Sequence, residues 1–287
     1  DIIYAWMYHS ALITSIWKSF FLKKDIPLVW AIRCSNMDTK YYSYRLKTTI
    51  YGCKLISRYP NKIIYNSMTG ARIHEELGFS QKGKKVIFNG IDTKRFKPRL
   101  NIREKLRKKY NIPKTSLVAV HVARVDPMKD HQTLFKAFKL TAEKIKNFYL
   151  VLIGKGTKEI SCLPSKVIAL GAIEDVSSLY NIADISVSSS SFGEGFSNVI
   201  AESMACGLIP VATDVGDAKN IIGESGFIVN PNSANELSNI FFKIYKLDKD
   251  RRKEIKLSSR KRIIKNFSVN LMQNSYKKLD AEMLGRK

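Results

Sequence analysis

The stretch from Ser188 to Glu202 leaves an apolar, β-type run, passes through Ser189, Ser190, Ser191, Phe192, Gly193, Glu194 and Gly195, and enters helical sequence at Phe196, Ser197 and Asn198. A strand, a glycine-containing loop and a helix start in that order make a potential anion cradle. The first amides of the helix lack intrahelical partners, and the dipole there is positive. A diphosphate suits such a place. Gly193 and Gly195 let the backbone approach a ligand closely, and Ser197 and Asn198 fall in the first helical turn. Glu194 and Glu202 are eight residues apart, about two turns on a continuous helix, so they do not aim at one atom. With one on the loop and one inside the helix, they address two parts of an extended ligand, for instance a sugar ring and a ribose, whose vicinal hydroxyls a carboxylate accepts. Taken alone, the pair also reads as chance spacing, with Glu202 a solvated helix residue.

A second strand end runs His121, Val122, Ala123, Arg124, Val125, Asp126, Pro127, Met128, Lys129, Asp130, His131. Arg124 offers a two-bond fork and Lys129 a point charge, a combination suited to a leaving diphosphate, although surface cations read the same way. His121 reads as a satisfied core histidine and His131 as a first-turn helix residue. Neither is assigned chemistry.

The elements that must position these residues follow from periodicity. Residues 1 to 98 place β-type runs at Asp1–Trp6, Pro27–Arg33, Lys62–Asn66 and Lys85–Phe88, with helical patterns between, among them Ala11–Phe21 and Tyr41–Cys53. That is βαβ patterning and predicts a parallel sheet. After a turn at Asn89, Gly90, Ile91 and Asp92, a second series sets strands at Leu117–Val122, Phe148–Ile153, Lys166–Leu170, Ile185–Ser188, Ile209–Ala212 and Phe227–Val229, with helices between, as a doubly wound sheet requires. The expected organisation is a first domain over 1–97, a second over 98–267, and a C-terminal helix over 268–287 packing back on the first.

A chain of 287 residues is comfortable for two such domains. The four cysteines, Cys34, Cys53, Cys162 and Cys206, form no Cys-x-x-Cys pair, which argues against a zinc knuckle and a disulfide scaffold and fits a reducing cytoplasm. The apolar stretch from Ala11 to Leu22 is broken by Lys18 and is too short to cross a bilayer. No secretory signal pattern stands at the front. The net charge of +24 arises from runs at Lys82–Lys85, Lys94–Arg99, Arg103–Lys109 and Lys249–Arg262, a surface that attracts polyanions. Nucleic acid is disfavoured, because no helix-turn-helix, zinc-finger or RNP-type signature accompanies the charge. An anionic membrane leaflet and plain solvated faces remain open.

In combination, Arg124 with Lys129, the stretch from Gly193 to Glu202 followed by Met204, Ala205, Cys206 and Gly207, the strand Ile209–Ala212, and Asn89–Asp92 with Phe96 and Pro98 resemble the retaining GT-B glycosyltransferases of family 4. The likeness is clear over about residues 62 to 232. It implies an α/β architecture of two Rossmann-like domains whose parallel sheets face a cleft, the first domain incomplete at its front. It implies a nucleotide-sugar donor, UDP-, GDP- or ADP-linked, transfer with retention to a hydroxyl of a glycan or lipid-linked acceptor, and no metal or other cofactor. By the same likeness Arg124 and Lys129 contact the donor diphosphate, Glu194 the hydroxyls of the transferred sugar and Glu202 the ribose. Gly193, Gly195, Phe196, Ser197 and Asn198 would line the sugar and phosphate pocket, and the region from Gly171 to Glu174 would receive the base.

The family usually follows the diphosphate lysine with glycine, where this chain has Asp130. After the first strand, His9 resembles the histidine that faces the reacting sugar, although Trp6 occupies the position that fits some relatives better. Arg33, with Ser35, is a second cleft-facing candidate. The implied location is the cytoplasm, peripheral at the inner face of the cell membrane. The competing reading is a non-catalytic or truncated basic protein of the same fold that binds polyanions or a membrane surface.

Overall fold

Leu28, Trp30 and Ile32 alternate with Val29 and Ala31 in a strand whose residues are all buried, the signature of a central parallel strand covered on both faces. The computed structural model describes residues 1–21, 25–35 and 42–285; Leu22 at the end of the apolar stretch, Tyr41 at the start of an expected helix, and Arg286 and Lys287 of the expected C-terminal helix lie outside them. The chain divides into two compact units. Unit 1 holds residues up to Gly90, the short stretch Gly193–Phe196 and the chain from Val269 onward; unit 2 holds Ile91–Phe192 and Ser197–Ser268.

Unit 1 runs β1 (Ile3–Trp6), α1 (Met7–Phe21), β2 (Leu28–Ile32), α2 (Tyr44–Leu55), β3 (Lys62–Tyr65), α3 (Met68–Glu76) and β4 (Lys84–Val86). The strands form a four-stranded parallel sheet in the order β1-β2-β3-β4. On one face Leu28, Trp30 and Ile32 pack with Tyr8, Ala11, Cys53 and Phe79. On the other, Val29, Ile64 and Ile87 meet Leu279 of the last helix, Val269–Met283, which also presents Met272, Tyr276 and Met283.

Helix α1 starts directly after β1, at a Met7 with φ 64°, rather than at Ala11. Its polar residues Ser15 and Lys18 are buried: Trp30 Nε1 donates to Ser15 Oγ at 3.1 Å, and the Lys18 ammonium lies over the Tyr59 ring. The stripe Ile13, Ile16, Trp17, Phe20 and Phe21 points outward.

Unit 2 opens with α4 (Leu100–Lys109) and continues β5 (Leu117–Val122), α5 (His131–Lys144), β6 (Phe148–Ile153), β7 (Val167–Ala169), β8 (Ile185–Ser188), α6 (Asn198–Ala205), β9 (Ile209–Thr213), α7 (Ala218–Ile222), β10 (Phe227–Val229), α8 (Ala234–Lys246) and α9 (Lys249–Asn266). The sheet is parallel throughout, in the order β10-β9-β8-β5-β6-β7. Alternate residues of β5, Leu117 and Ala119, face Leu134, Ala137 and Phe138 of α5 and Leu237, Phe241 and Ile244 of α8. Each large apolar side chain so buried contributes on the order of 1.5–3 kcal/mol.

Several cations of the basic runs are used inside the fold. Asp184, just before β8, accepts from Arg103, Arg107 and Lys256 at 2.8–2.9 Å, and Arg107 is only 3% exposed. Burial alone would raise the Asp184 pKa, but Lys256, Arg103 and Arg107 together hold it down at about 2. Arg260 bonds to the carbonyls of Phe96, Thr93 and Ala205, and Arg262 to those of Ile221 and Asn220. Within the Arg103–Lys109 and Lys249–Arg262 runs, helix α4 and helix α9 thus turn Arg103, Arg107, Lys256, Arg260 and Arg262 toward carbonyls and one carboxylate, while Lys105, Lys108, Lys109, Lys249, Arg251, Lys253 and Lys261 are exposed. The four cysteines are free thiols. Among the described residues no helix is long and apolar enough to cross a membrane.

Candidate functional site

The chain enters the unit 2 sheet at β5, winds outward through β6 and β7, then returns to the other side of β5 as β8 and winds outward through β9 and β10. Between β5 and β8 the winding reverses, and in an open parallel sheet the loops beyond the strand ends at such a point form a crevice for ligands. The unit 2 residues that follow these strands are Arg124 to Lys129 after β5 and, after β8, Ser189 to Phe192 with Ser197 and Asn198.

These loops are tied together by backbone and hydroxyl bonds. The amide of Ser191 donates to the Met128 carbonyl at 2.9 Å, Ser189 Oγ donates to the Lys129 carbonyl at 2.8 Å, and Thr213 Oγ1 at the end of β9 donates to the Ser190 carbonyl at 2.6 Å. The serine run of the sequence therefore clamps one strand end to its neighbours. Ser197, 7% exposed, is the N-cap of α6, and Asn198 opens the helix. The helix that follows the β8 loop therefore begins where the sequence placed its start.

After β5, Arg124 donates through Nε and Nη2 to Asp126 Oδ2 at 2.9 Å, and the other oxygen of Asp126 caps Met128. Burial would raise the Asp126 carboxyl, but the Met128 amide and the Arg124 guanidinium outweigh it and the pKa is lowered. Asp130 stands in the left-handed conformation, φ 45° and ψ 58°, which glycine would adopt freely, and it caps α5 through Oδ1 to the Thr133 amide. The replacement of the usual glycine is therefore accommodated by a residue type that tolerates this conformation.

Behind the loop, His121 and His131 meet edge to face with centroids 4.8 Å apart. His121 Nδ1 bonds the Val187 carbonyl, but its Nε2 and both ring nitrogens of His131 are buried with no hydrogen-bond partner. Burial, then the neighbouring ring, pushes His121 down to about 3, and burial likewise lowers His131. His121 is thus a core histidine that is only half satisfied.

At the end of β7, Gly171 is buried at φ 76°, its amide held by Thr157 Oγ1 and its carbonyl by the Gly154 amide. A side chain at Gly154 would meet the Ala123 carbonyl oxygen at 2.0 Å, so the strand ends of β5 and β6 approach too closely for any other residue. Glu202, in the second turn of α6, accepts from the Tyr180 hydroxyl at 3.1 Å through Oε2. Burial raises its pKa, partly offset by Tyr180 and by Arg95, which is itself paired with Asp175 at 3.0 Å. That environment distinguishes Glu202 from a solvated helix residue.

The remaining candidates belong to unit 1. In the stretch Gly193–Phe196, a side chain at Gly195 would lie 2.3 Å from Ser35 Oγ and 3.1 Å from Ser67 Oγ, so this glycine is required by packing. Gly193 takes φ 75°, Glu194 is half-buried, and the Phe196 ring packs 5.9 Å from that of Phe88. His9 is exposed on α1, and Arg33 stacks over Trp6 at 4.8 Å. Arg124, Lys129, Ser197, Asn198, Gly171 and Glu202 are unit 2 residues; Glu194, His9 and Arg33 are not grouped with them. Tyr180, Arg95, Asp175 and Asp126 escaped the sequence reading. Asp126, directly before a proline, carried a turn signal that would have found it; Tyr180 sits in a short 3-10 turn with no periodicity to mark it.

One unit with a doubly wound parallel sheet and one with a four-stranded parallel sheet make up the GT-B class of folds. The profile of the family Glycosyl transferases group 1 matches residues 102–262, more than half of the chain, and the protein belongs to that family. Over 98% of its length the chain is similar in fold to Anabaena Alr3699/HepE, crystallised in complex with UDP, with a TM-score of 0.84, 24% identity and 79% of that chain covered. It is 28% identical over 226 residues to the capsular polysaccharide biosynthesis glycosyltransferase CapM of Staphylococcus aureus, covering 74% of this chain and 56% of that protein. It is 23% identical over 232 residues to spore coat protein SA of Bacillus subtilis, covering 73% and 61% respectively. The chain thus spans about half the length of the curated relatives it matches.

Proposed function

We propose that this chain carries the donor-binding part of a glycosyltransferase that moves a hexose-type sugar from a nucleoside-diphosphate sugar to a hydroxyl of a glycan or lipid-linked acceptor, with retention of configuration. The observation that carries the reading is the crevice at the β5–β8 reversal, where Lys129 and the first-turn amides of α6 are held in one clamped pair of loops. Fixed positive groups at that place stabilise charge that develops on a departing diphosphate without reorganising when the bond breaks. Arg124 adds a second cation, and its pairing with Asp126 fixes the guanidinium in place at the cost of part of its charge. The work on the leaving group is assigned to these residues rather than to a bound metal.

Glu202 receives the ribose, the strand end at Gly171 the base, and Glu194 the hydroxyls of the transferred sugar, with His9 and Arg33 on the acceptor side. Ser197 and Asn198 flank the phosphates, while Gly193, Gly195 and Phe196 shape the loop that carries Glu194. UDP and UDP-glucose in the crystals of the Anabaena protein support a nucleotide-sugar as the ligand class, and the name of the staphylococcal relative supports a polysaccharide product. The strongly basic composition supports work at an anionic membrane surface, on its cytoplasmic side.

Thermal denaturation in the presence of UDP, GDP or ADP tests the reading. The correct nucleotide, at a hundred times its dissociation constant, adds about 2.7 kcal/mol of stability; no shift with any of them overturns the donor assignment. Lys129→Ala is expected to raise the barrier to transfer by about 3–4 kcal/mol with an unchanged melting temperature. A purified variant that turns over at the wild-type rate would refute the role given to this lysine.

A further inference from the structure

Glu202 has three rotatable bonds and sits in a helix whose backbone does not fix its carboxylate. Something else must hold it. Tyr180 is fully buried in the 3-10 turn Leu179–Ile182, with its amide bonded to the Val176 carbonyl and its ring 6.1 Å from Phe96, edge to face. A phenol so placed cannot change rotamer without vacating the core, and its hydroxyl must find a partner there. That partner is Glu202 Oε2, at 3.1 Å.

Arg95, which acts on the same carboxylate electrostatically, is held by Asp175 at 3.0 Å, while Asp175 is in turn fixed by the Ser177 amide at 2.9 Å. One bond from Tyr180 leaves most of the acceptor sites of the carboxylate unspent, since an ionised carboxylate has about four.

We infer that Tyr180 is a positioning residue that locks Glu202 for bidentate recognition of the vicinal ribose hydroxyls, so that the enzyme selects ribonucleotide donors over deoxyribonucleotide ones. This rests on the donor reading proposed for unit 2 and assigns the residue that makes its ribose contact selective. A burial-raised carboxyl pKa agrees with the need for such an anchor, because losing the Tyr180 hydroxyl would leave the carboxylate both mobile and more readily protonated.

The test is calorimetric titration of the tightest-binding of UDP, GDP and ADP, and of its 2′,3′-dideoxy counterpart, into the wild-type chain, Tyr180→Phe, Glu202→Gln and the double variant. Wild type is expected to favour the ribonucleotide by roughly tenfold or more, and Tyr180→Phe to reduce that preference by about fivefold while leaving dideoxynucleotide affinity unchanged. In the Glu202→Gln background the phenylalanine substitution is expected to have no further effect on the ratio, which a merely structural tyrosine would not show. The pH below which ribonucleotide affinity falls is expected to move upward in Tyr180→Phe.

A wild-type ribose preference that survives intact in a folded Tyr180→Phe overturns the inference and leaves the role of Glu202 standing. Equal affinity of the wild type for both nucleotides removes the ribose role of Glu202 and the inference with it. Failure of every nucleotide to bind instead removes the donor reading.

Discussion

Glu202 is asked to be ionised in a place that disfavours charge. Its folded pKa lies above the ordinary 4.5 because burial outweighs the help of Tyr180 and Arg95. The sign follows: the native state resists losing that proton, so the contribution of this group to stability is fully present below about 4.5 and is lost as pH rises through the raised value. Glu202→Gln, which keeps an acceptor for Tyr180, is therefore expected to melt higher than wild type at neutral pH without ligand, each kcal/mol recovered appearing as about 2–4 °C. The difference should shrink on acidification toward pH 4.5, and nucleotide affinity should fall in the variant. A variant that melts no higher at neutral pH would mean that the carboxylate is comfortably solvated. Such a trade of stability for recognition is the mark expected of a binding residue, and it was not visible in the sequence, where Glu202 read equally well as a solvated helix position.

At the scale of elements, the loops after β5 and β8 hold their shape through local backbone devices. Asp130 combines a left-handed conformation with the cap of α5, so Asp130→Ala is expected to cost about 1–2 kcal/mol and Asp130→Gly only a few tenths, measured by denaturant titration. Equal losses in the two variants would show that the backbone conformation carries no penalty there. Asp184 joins α4, α9 and the start of β8 through Arg103, Arg107 and Lys256. Asp184→Ala strands a buried arginine and is expected to cost about 3–5 kcal/mol, with a change near zero ruling out a true buried network.

Strands such as Leu117–Val122 and Phe148–Ile153 were legible to the residue because central parallel strands are uninterrupted β-branched and apolar runs. The start of α1 was not, since Met7 turns the chain from strand to helix with no glycine or cap residue to announce it. Nor was the packing of Gly195 against Ser35 and Ser67, which are far from it in sequence.

For the whole molecule, the net charge of +24 is large even after the internal pairs at Asp184 are counted. Association with vesicles containing phosphatidylglycerol is expected at low salt and should weaken steeply as salt is added, whereas neutral phosphatidylcholine vesicles should not retain the protein. Salt-independent binding to both would point to the exposed stripe Ile13, Ile16, Trp17, Phe20 and Phe21 rather than to charge.

What the amino-acid sequence determined alone is the succession of strands and helices, the parallel sheets they must build, and the two strand ends on which the proposed diphosphate site rests. These are matters of periodicity and of residue type next to a helix start, and neither depends on distant parts of the chain. Only the tertiary structure decided that β8 lies beside β5, bringing those ends together. Tertiary structure likewise buried Arg107 on Asp184 and set Tyr180 against Glu202. Each of those depends on residues far apart in sequence, where the energy of a contact is decided by what packing removes from water.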